Sequence, residues 1–159
     1  MSADQEQREQ SQYPFRINDQ YVKDLSFENP NYLMKYSDDG DKQPEVGVGL
    51  ENNVAKIDDE HYEVTLKVSA KSTIGEKSVF IIELSYAALI TVAPNLEQDI
   101  LEPILMVHCP FLMFPFIREI VASVTSSGGF PPLRLEPIDF ASLYMSKKKE
   151  IAESKNSIN

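Results

Sequence analysis

Two neighbouring residues, His108 and Cys109, are the first candidates for chemistry in this chain, because an imidazole and a thiolate can bind a metal ion or act on a substrate. The chain has one cysteine and only one other histidine, His61. It lacks the CxxC and HxxxH spacings that are typical of metal sites. Adjacent residues of a helix point about 100° apart, so these two side chains would not converge on one ligand. We interpret Cys109 as a packed core residue beside an incidental histidine.

The second candidate is the acidic run Asp58-Asp59-Glu60, whose carboxylates could bind calcium or serve as an acid/base pair. The run lacks the spacing and the glycine of an EF-hand loop, so we interpret it as a solvated turn. The GVG at 47–49 lies inside an alternating strand pattern and lacks the third glycine of a dinucleotide-binding loop. The sequence has no Walker A motif and no GxSxG elbow. We expect a protein that is not an enzyme and that uses no cofactor and no metal.

Composition narrows the class further. A chain of 159 residues, 42% of them hydrophobic, is long enough to bury one core without metal or disulfide. A net charge of −10 disfavours nucleic acid and anionic lipid and favours a basic protein partner. The N-terminus has no signal-peptide pattern, which indicates the cytoplasm. We expect a disordered arm at 1–12, a single domain at 13–150 and a flexible tail at 151–159.

Four runs have the period-2 alternation of strands: 21–28, 45–52, 61–71 and 78–92. In the first run, strict alternation puts Tyr21 and Lys23 with the apolar Leu25 and Phe27, and the acidic residues with Val22 on the other face. Short links between the later runs predict antiparallel neighbours. The fourth run is apolar on both faces and is predicted to be an inner strand.

Helices follow the strands. Asn95 is a candidate N-cap for a first helical segment at 96–108, and a second segment at 111–127 ends at Gly128-Gly129. Residues 130–137 contain three prolines and predict an extended linker. Asp139 then caps a C-terminal helix. Strands followed by helices predict an α+β fold, with a four-stranded antiparallel sheet, a long broken helix and a C-terminal helix.

The stretch from Ile104 to Ile117 is apolar except for His108. A membrane span needs ~20 apolar residues, whereas this run stops after fourteen and contains Pro110 and Pro115. Together with the fourth strand it carries more apolar surface than one sheet layer of this size can cover, so we predict self-association. The alternative is that all of it is the core of a monomer.

Acidic residues gather on one predicted sheet face: Asp24, Glu28, Glu63 and Glu83. Such a face is either simply solvated or a docking surface for a basic partner, where charge complementarity raises association rate and specificity.

Longer segments of the chain resemble a known family, the SecB preprotein export chaperones. The resemblance extends over residues 15–145 in order and spacing. It is carried by these segments: YVKDLSFENPN (21–31), QPEV (43–46), HYEVTLKVSA (61–70), IGEKSVFIIEL (74–84), CPFLMFPFIREIVASV (109–124) and GGFPPLRLEPIDFASLY (128–144).

The resemblance implies an ATP-independent chaperone that holds unfolded secretory precursors and passes them to the SecA export motor. It implies a homotetramer, a dimer of dimers whose helices lie between two eight-stranded sheets, with Ile82, Leu84 and Tyr86 facing that interior. Motor docking would fall on Asp24, Glu28, Ile81 and Glu83, and the substrate groove on Val46, Val48, Leu143 and Tyr144.

Two features depart from the family pattern. Lys42 precedes QPE where an aromatic residue is common, and the C-terminal tail carries four lysines where an acidic tail is typical. Two other functions stay open: a SecB-like chaperone dedicated to an antitoxin, and an α+β protein that binds a small ligand without catalysis. The ligand binder would need an enclosed pocket holding His61 or His108.

Overall fold

The computed structural model of the chain describes residues 14–36 and 42–158. The predicted arm at 1–12 lies outside the described residues. The elements, in chain order, are β1 Phe15–Glu28, a 3-10 turn Tyr32–Tyr36, β2 Glu45–Lys56, β3 His61–Ile74, β4 Lys77–Val92, α1 Gln98–Ser127 and α2 Phe140–Asn156. Because α2 runs to Asn156, residues 151–156 are helical, although the sequence predicts a flexible tail there.

The strands form one antiparallel sheet in the order β1-β4-β3-β2. The predicted fold class and the inner position of the fourth strand are therefore confirmed. Residues that lie directly opposite each other on neighbouring strands share one face of the sheet. We call the face that α1 covers the inner face and the other the outer face. On β3 and β4 the inner face is almost entirely buried, and its members are Tyr62, Val64, Leu66, Val68, Ala70, Phe80, Ile82, Leu84, Tyr86, Ala88 and Ile90.

A β-bulge interrupts the alternation of β1. The register shifts between Val22 and Asp24, so Lys23 is an extra residue in the ladder. Val22 lies opposite the inner-facing Tyr86, whereas Tyr21 lies opposite Ala87 on the outer face. The strict alternation predicted from the sequence is therefore wrong for Tyr21, Val22 and Lys23. It holds beyond the bulge, where Leu25 opposes the inner-facing Leu84.

The helix α1 is continuous where the sequence predicts a break. Its α-helical parts, Gln98–Pro103 and Cys109–Ser127, are joined by π-helical turns at Ile104–His108. In these wider turns the Cys109 N–H donates to Ile104 O, and the chain passes Pro103 and Pro110 without ending the helix. The predicted cap is also wrong, since Glu97 occupies the N-cap and Asn95 has a φ of 57°.

Continuity of α1 also weakens the length argument against a membrane span. Its 30 residues are long and apolar enough to cross a bilayer by length and composition alone, with 39% of its most apolar window buried inside the protein. The buried side of the helix packs on the sheet through residues such as Met113, Ile117 and Val121. A core helix that packs on a sheet meets the same criteria.

Two contacts fix the segment that follows α1. The helix ends at Ser127 with Gly128 as its C-cap, as predicted, and the buried Thr125 Oγ1 accepts a hydrogen bond from Leu133 N at 2.9 Å. Asp139 caps α2, as predicted, by accepting from Ser142 N at 3.0 Å. The linker at 130–138 is therefore held as an extended segment along the inner side of the sheet.

Candidate functional site

An open groove of about 390 Å³ lies on the inner side of the sheet, between β2 and the extended linker. It exists because β2 is an edge strand: Val46 and Val48 face inward but are 45% and 53% exposed, since neither α1 nor α2 covers them. Apolar side chains dominate the walls. The lining residues are Val46, Val48, Leu50, Val68, Phe114, Leu133, Arg134, Leu135, Glu136, Pro137 and Ile138.

The structure brings together half of the predicted groove residues. Val46 and Val48 lie side by side in the groove, whereas Leu143 and Tyr144 are on α2 and do not line it. Leu143 is partly exposed, and the ring of Tyr144 lies 5.3 Å from Lys148 Nζ. The roles of all four residues stay predictions. Neither histidine lines the groove, which is open and not enclosed.

Sequence reasoning missed the opposite wall, formed by the linker. Leu133 and Leu135 alternate with Arg134 and Glu136, and the apolar pair packs against the core. This period-2 pattern was present in the sequence, and it indicates an extended segment with one apolar edge. The three prolines led to a different interpretation of the segment, because prolines are typical of a linker and not of a binding site.

The predicted docking residues come together on the outer face. Ser26 lies opposite Glu83 and Glu28 lies opposite Ile81 in the β1–β4 ladder. Asp24 lies opposite Ser85, two residues along β4 from Glu83. Alternation is regular beyond the bulge at Lys23, so Asp24 and Glu28 share the face of Glu83. All three acidic side chains are exposed. Within residues 14–36 and 42–158, no ion pair holds any of them.

Small residues surround Glu83 and leave its carboxylate accessible. Ser26 and Ser69 flank it on the neighbouring strands, and Gly49 lies opposite Ser69 on β2. A Cβ added to Gly49 would come within 2.7 Å of Ser69 Oγ, so the close approach of these two residues favours glycine. The result is a shallow trough of about 520 Å³ with Asp24, Glu83 and Lys67 on its walls.

Glu63 does not join this acidic group. Lys23 Nζ lies 2.7 Å from Glu63 Oε1, and the Tyr21 hydroxyl donates to Oε2 of the same carboxylate. The hydrogen bonds from Lys23 and Tyr21 lower the pKa of Glu63. The hydrogen bond between Tyr21 and Glu63 also raises the pKa of Tyr21 to about 12. The ladder also places Lys67 and Lys71 on the outer face. This face has more compensating charge than the sequence predicts, because Lys23 pairs with Glu63 and two further lysines share the face.

The two chemical candidates are structural. Cys109 is completely buried, and burial raises the pKa of its thiol to about 12. His108 is exposed, with its ring 6.4 Å from that of Phe15. Asp58 accepts hydrogen bonds from the backbone N–H groups of Glu60 and His61, each at 2.9 Å. The interpretations as a packed cysteine and a turn are therefore confirmed.

Apolar surface remains uncovered on the inner side near β1. The predicted interface residues Ile82, Leu84 and Tyr86 are themselves buried within this chain, and their role in assembly stays a prediction. Phe116 stacks on Tyr86 with a centroid distance of 6.5 Å but is half exposed. Four more large apolar side chains of β1 and α1 are exposed, and with Phe116 we call them the apolar patch: Val22, Leu25, Phe111 and Leu112.

Comparison with known proteins agrees with this geometry. The model of the family "Preprotein translocase subunit SecB" matches residues 7–151. The chain belongs to the SecB family. It is 42% identical to the protein-export protein SecB of Parvibaculum lavamentivorans, over 87% of this chain and 82% of the relative. It is 39% identical to that of Desulfotalea psychrophila, over 95% and 97%. The predicted family is confirmed, and the names of these relatives agree with the predicted role of an export chaperone.

A solved structure supports the fold. A SecB-like chaperone of Mycobacterium tuberculosis, in complex with a peptide from the HigA1 antitoxin, superposes with a TM-score of 0.64. The alignment covers 83% of this chain and 95% of that one, at 17% sequence identity. At this identity the likeness extends to the α+β architecture alone.

Proposed function

We propose that this SecB-family chain is a cytoplasmic holdase that keeps precursor proteins unfolded for export and delivers them to a SecA-type ATPase. It binds without catalysis and without a cofactor. The observation that carries the proposal is the groove between β2 and the linker, whose apolar walls are open to an extended polypeptide along an exposed strand edge. A series of weak apolar subsites of this kind would bind many different sequences.

The outer face supports the delivery step. Asp24, Glu28 and Glu83 lie together, exposed and unpaired among the described residues, around the partly buried Ile81. Such a surface suits a partner with basic side chains around an apolar contact. Because it lies on the opposite face of the sheet from the groove, a client and the motor would not compete for the same residues.

The uncovered apolar patch supports assembly as a homotetramer. Phe111 is 66% exposed and Phe116 is 50% exposed on α1. Contact between copies of this helix would remove these rings from water. A standard interface buries ~800 Å² per partner.

The proposal is tested by separating the two surfaces. Val48→Asp puts a carboxylate in the groove, and we expect suppression of aggregation of an unfolded precursor, followed by light scattering, to need about tenfold more chaperone, which corresponds to ~1.4 kcal/mol. Glu83→Lys should abolish binding of the ATPase, measured by calorimetry, and leave suppression of aggregation intact.

Each variant has a matched control. Val54→Asp places the same charge on the same strand and inner face, outside the groove lining. Glu76→Lys makes the same charge change in the turn between β3 and β4. Equal loss of holding in the two aspartate variants would contradict the groove assignment. Loss of both activities in Glu83→Lys would contradict the docking assignment. A wild-type chain that stays monomeric and does not bind unfolded proteins would refute the function as a whole.

A further inference from the structure

Three aromatic rings form a box at one end of the sheet. Tyr32 and Tyr36 come from the 3-10 turn after β1, and Phe130 begins the linker after α1. The ring of Tyr32 lies 6.3 Å from that of Tyr36 and 5.4 Å from that of Phe130. Phe80 supports the box from behind, 5.0 Å from Phe130. We call Tyr32, Tyr36 and Phe130 the aromatic box.

The box already holds a cation, the ammonium group of Lys35. Lys35 Nζ lies 4.1 Å from the ring centre of Tyr32, 5.0 Å from that of Tyr36 and 5.7 Å from that of Phe130. It also donates to the Tyr32 hydroxyl at 2.6 Å and to Gly129 O at 2.9 Å. Aromatic faces attract cations within about 6 Å, so the three rings and the two oxygens together bind this ammonium group.

The backbone is shaped to build this site. Gly129 has a φ of 87°, which turns its carbonyl toward Lys35, and a Cβ there would come within 2.7 Å of the Tyr32 ring. Only glycine accepts both constraints. Asn29 Nδ2 donates to Gly128 O at 3.1 Å and ties the same two segments together. The box is therefore a preformed feature of two packed segments.

We propose that the aromatic box is a binding site for the cationic side chain of a lysine or arginine in a bound polypeptide, and that Lys35 occupies it as an internal ligand until displaced. This inference rests on the proposed holding of extended clients. Displacement is feasible because the site is at the surface: Lys35 is exposed, and Tyr36 is 70% exposed. An arginine has the advantage that its planar guanidinium also stacks on aromatic faces.

The position of the box links it to the groove. Phe130 lies three residues before Leu133, which lines the groove, on the same extended segment. Three extended residues span roughly 10 Å. A polypeptide lying along the linker with an apolar side chain in the groove would bring a residue three or four positions away to the box. Its basic side chain would then compete with Lys35 at a local concentration of ~mM.

The site can be tested with a small cation before any client is used. We expect n-butylammonium chloride to shift the ring NMR signals of Tyr32, Tyr36 and Phe130 saturably in Lys35→Ala. If Lys35 fills the box for roughly nine-tenths of the time, the wild type should need about tenfold more of the probe. Lys35→Arg, which keeps a cation in place, should behave as the wild type. Lys71→Ala removes a lysine from the outer face of the sheet and should respond to the probe as the wild type does.

Two outcomes of this titration would overturn the site. One is the absence of a saturable shift in Lys35→Ala and in the wild type at high probe concentration. The other is an equal response to n-butanol, which has the same chain without the charge. Because wild-type titration is part of the test, an unfolded 3-10 turn in Lys35→Ala would not hide the result.

A second measurement tests the link to clients. The affinity of two extended peptides is measured for the wild type and for Lys35→Ala. One peptide has a lysine four residues from an apolar anchor, and the other has norleucine at that position. Lys35→Ala should bind the lysine peptide about tenfold more tightly than the wild type does and leave the norleucine peptide unchanged. An equal change for both peptides would overturn the client assignment. Failure of both peptides to bind, with n-butylammonium still bound, would instead refute the proposed holding function.

Discussion

The inner and outer faces of the sheet arise from the same alternating strands but differ in what they leave exposed. At the centre of the inner face, Val64, Leu66 and Ile82 have no accessible surface, whereas on the edge strand β2 Val48 is 53% exposed. The outer face is covered by neither of the helices that the structure describes, and it carries charges separated by serines and glycines. Alternation thus decides which residues face inward, while the position of a strand in the sheet decides whether they are hidden.

The difference also separates two kinds of recognition. The groove on the inner side offers apolar area, which is non-directional and tolerant of sequence. The outer face offers fixed charges, which favour one complementary partner.

The largest expected effect concerns Cys109, the buried thiol of α1. With a pKa of about 12, its thiolate fraction at pH 8 is about 10³-fold below that of a free cysteine. Alkylation by iodoacetamide, followed by mass spectrometry, should therefore be at least that much slower in the native protein than in urea. Rapid native alkylation would mean that α1 opens from the sheet, and the contrast between the two faces would fail.

The second prediction compares the centre of the inner face with its edge. Leu66→Ala removes a fully buried side chain from β3 and should lower the free energy of unfolding by about 2–5 kcal/mol. Val54→Ala, on the same face of β2 but 38% exposed, should cost much less. Urea denaturation at one fixed protein concentration measures both, because assembly links stability to concentration. Similar losses would show that the edge is covered in solution.

The sequence predicts much of this division. Alternation in β3 and β4 identifies the inner residues, and Asp139 and Gly128 mark the helix ends, because each signal depends on nearby residues alone. The groove is half predicted: Val46 and Val48 are correct members, but the linker wall is established only when Thr125 fixes Leu133 against the sheet. That contact joins residues eight apart and depends on tertiary packing.

The errors also have physical causes. An extra residue such as Lys23 does not change the faces of the residues that follow it, but it exchanges the faces of the residues that precede it. The local sequence pattern does not indicate such a bulge. The prolines of α1 predict a break by propensity, yet packing on the sheet and the wider π-helical turns keep the helix continuous. In both cases tertiary structure overrides a correct local rule.

The smallest effect, and the most specific to the bulge, concerns the Tyr21 hydroxyl. Its bond to the Glu63 carboxylate, with burial adding to it, raises the pKa of Tyr21 to about 12 from 10.0. Because the folded state holds this proton more tightly than the unfolded chain, the stabilisation is present below about pH 10 and is lost as pH rises through about 12.

Glu63→Ala should therefore bring the pKa of Tyr21 down toward 10.0, measured from the ring-carbon NMR shift of labelled tyrosine. Glu51→Ala removes another carboxylate of the outer face and should leave it unchanged. Strict alternation would place Tyr21 on the inner face, away from Glu63, and the pKa would then not depend on either carboxylate. A Tyr21 pKa that is unaffected by Glu63→Ala would thus mean that β1 has no bulge at Lys23, and Tyr21 and Val22 would keep the faces that strict alternation gives them.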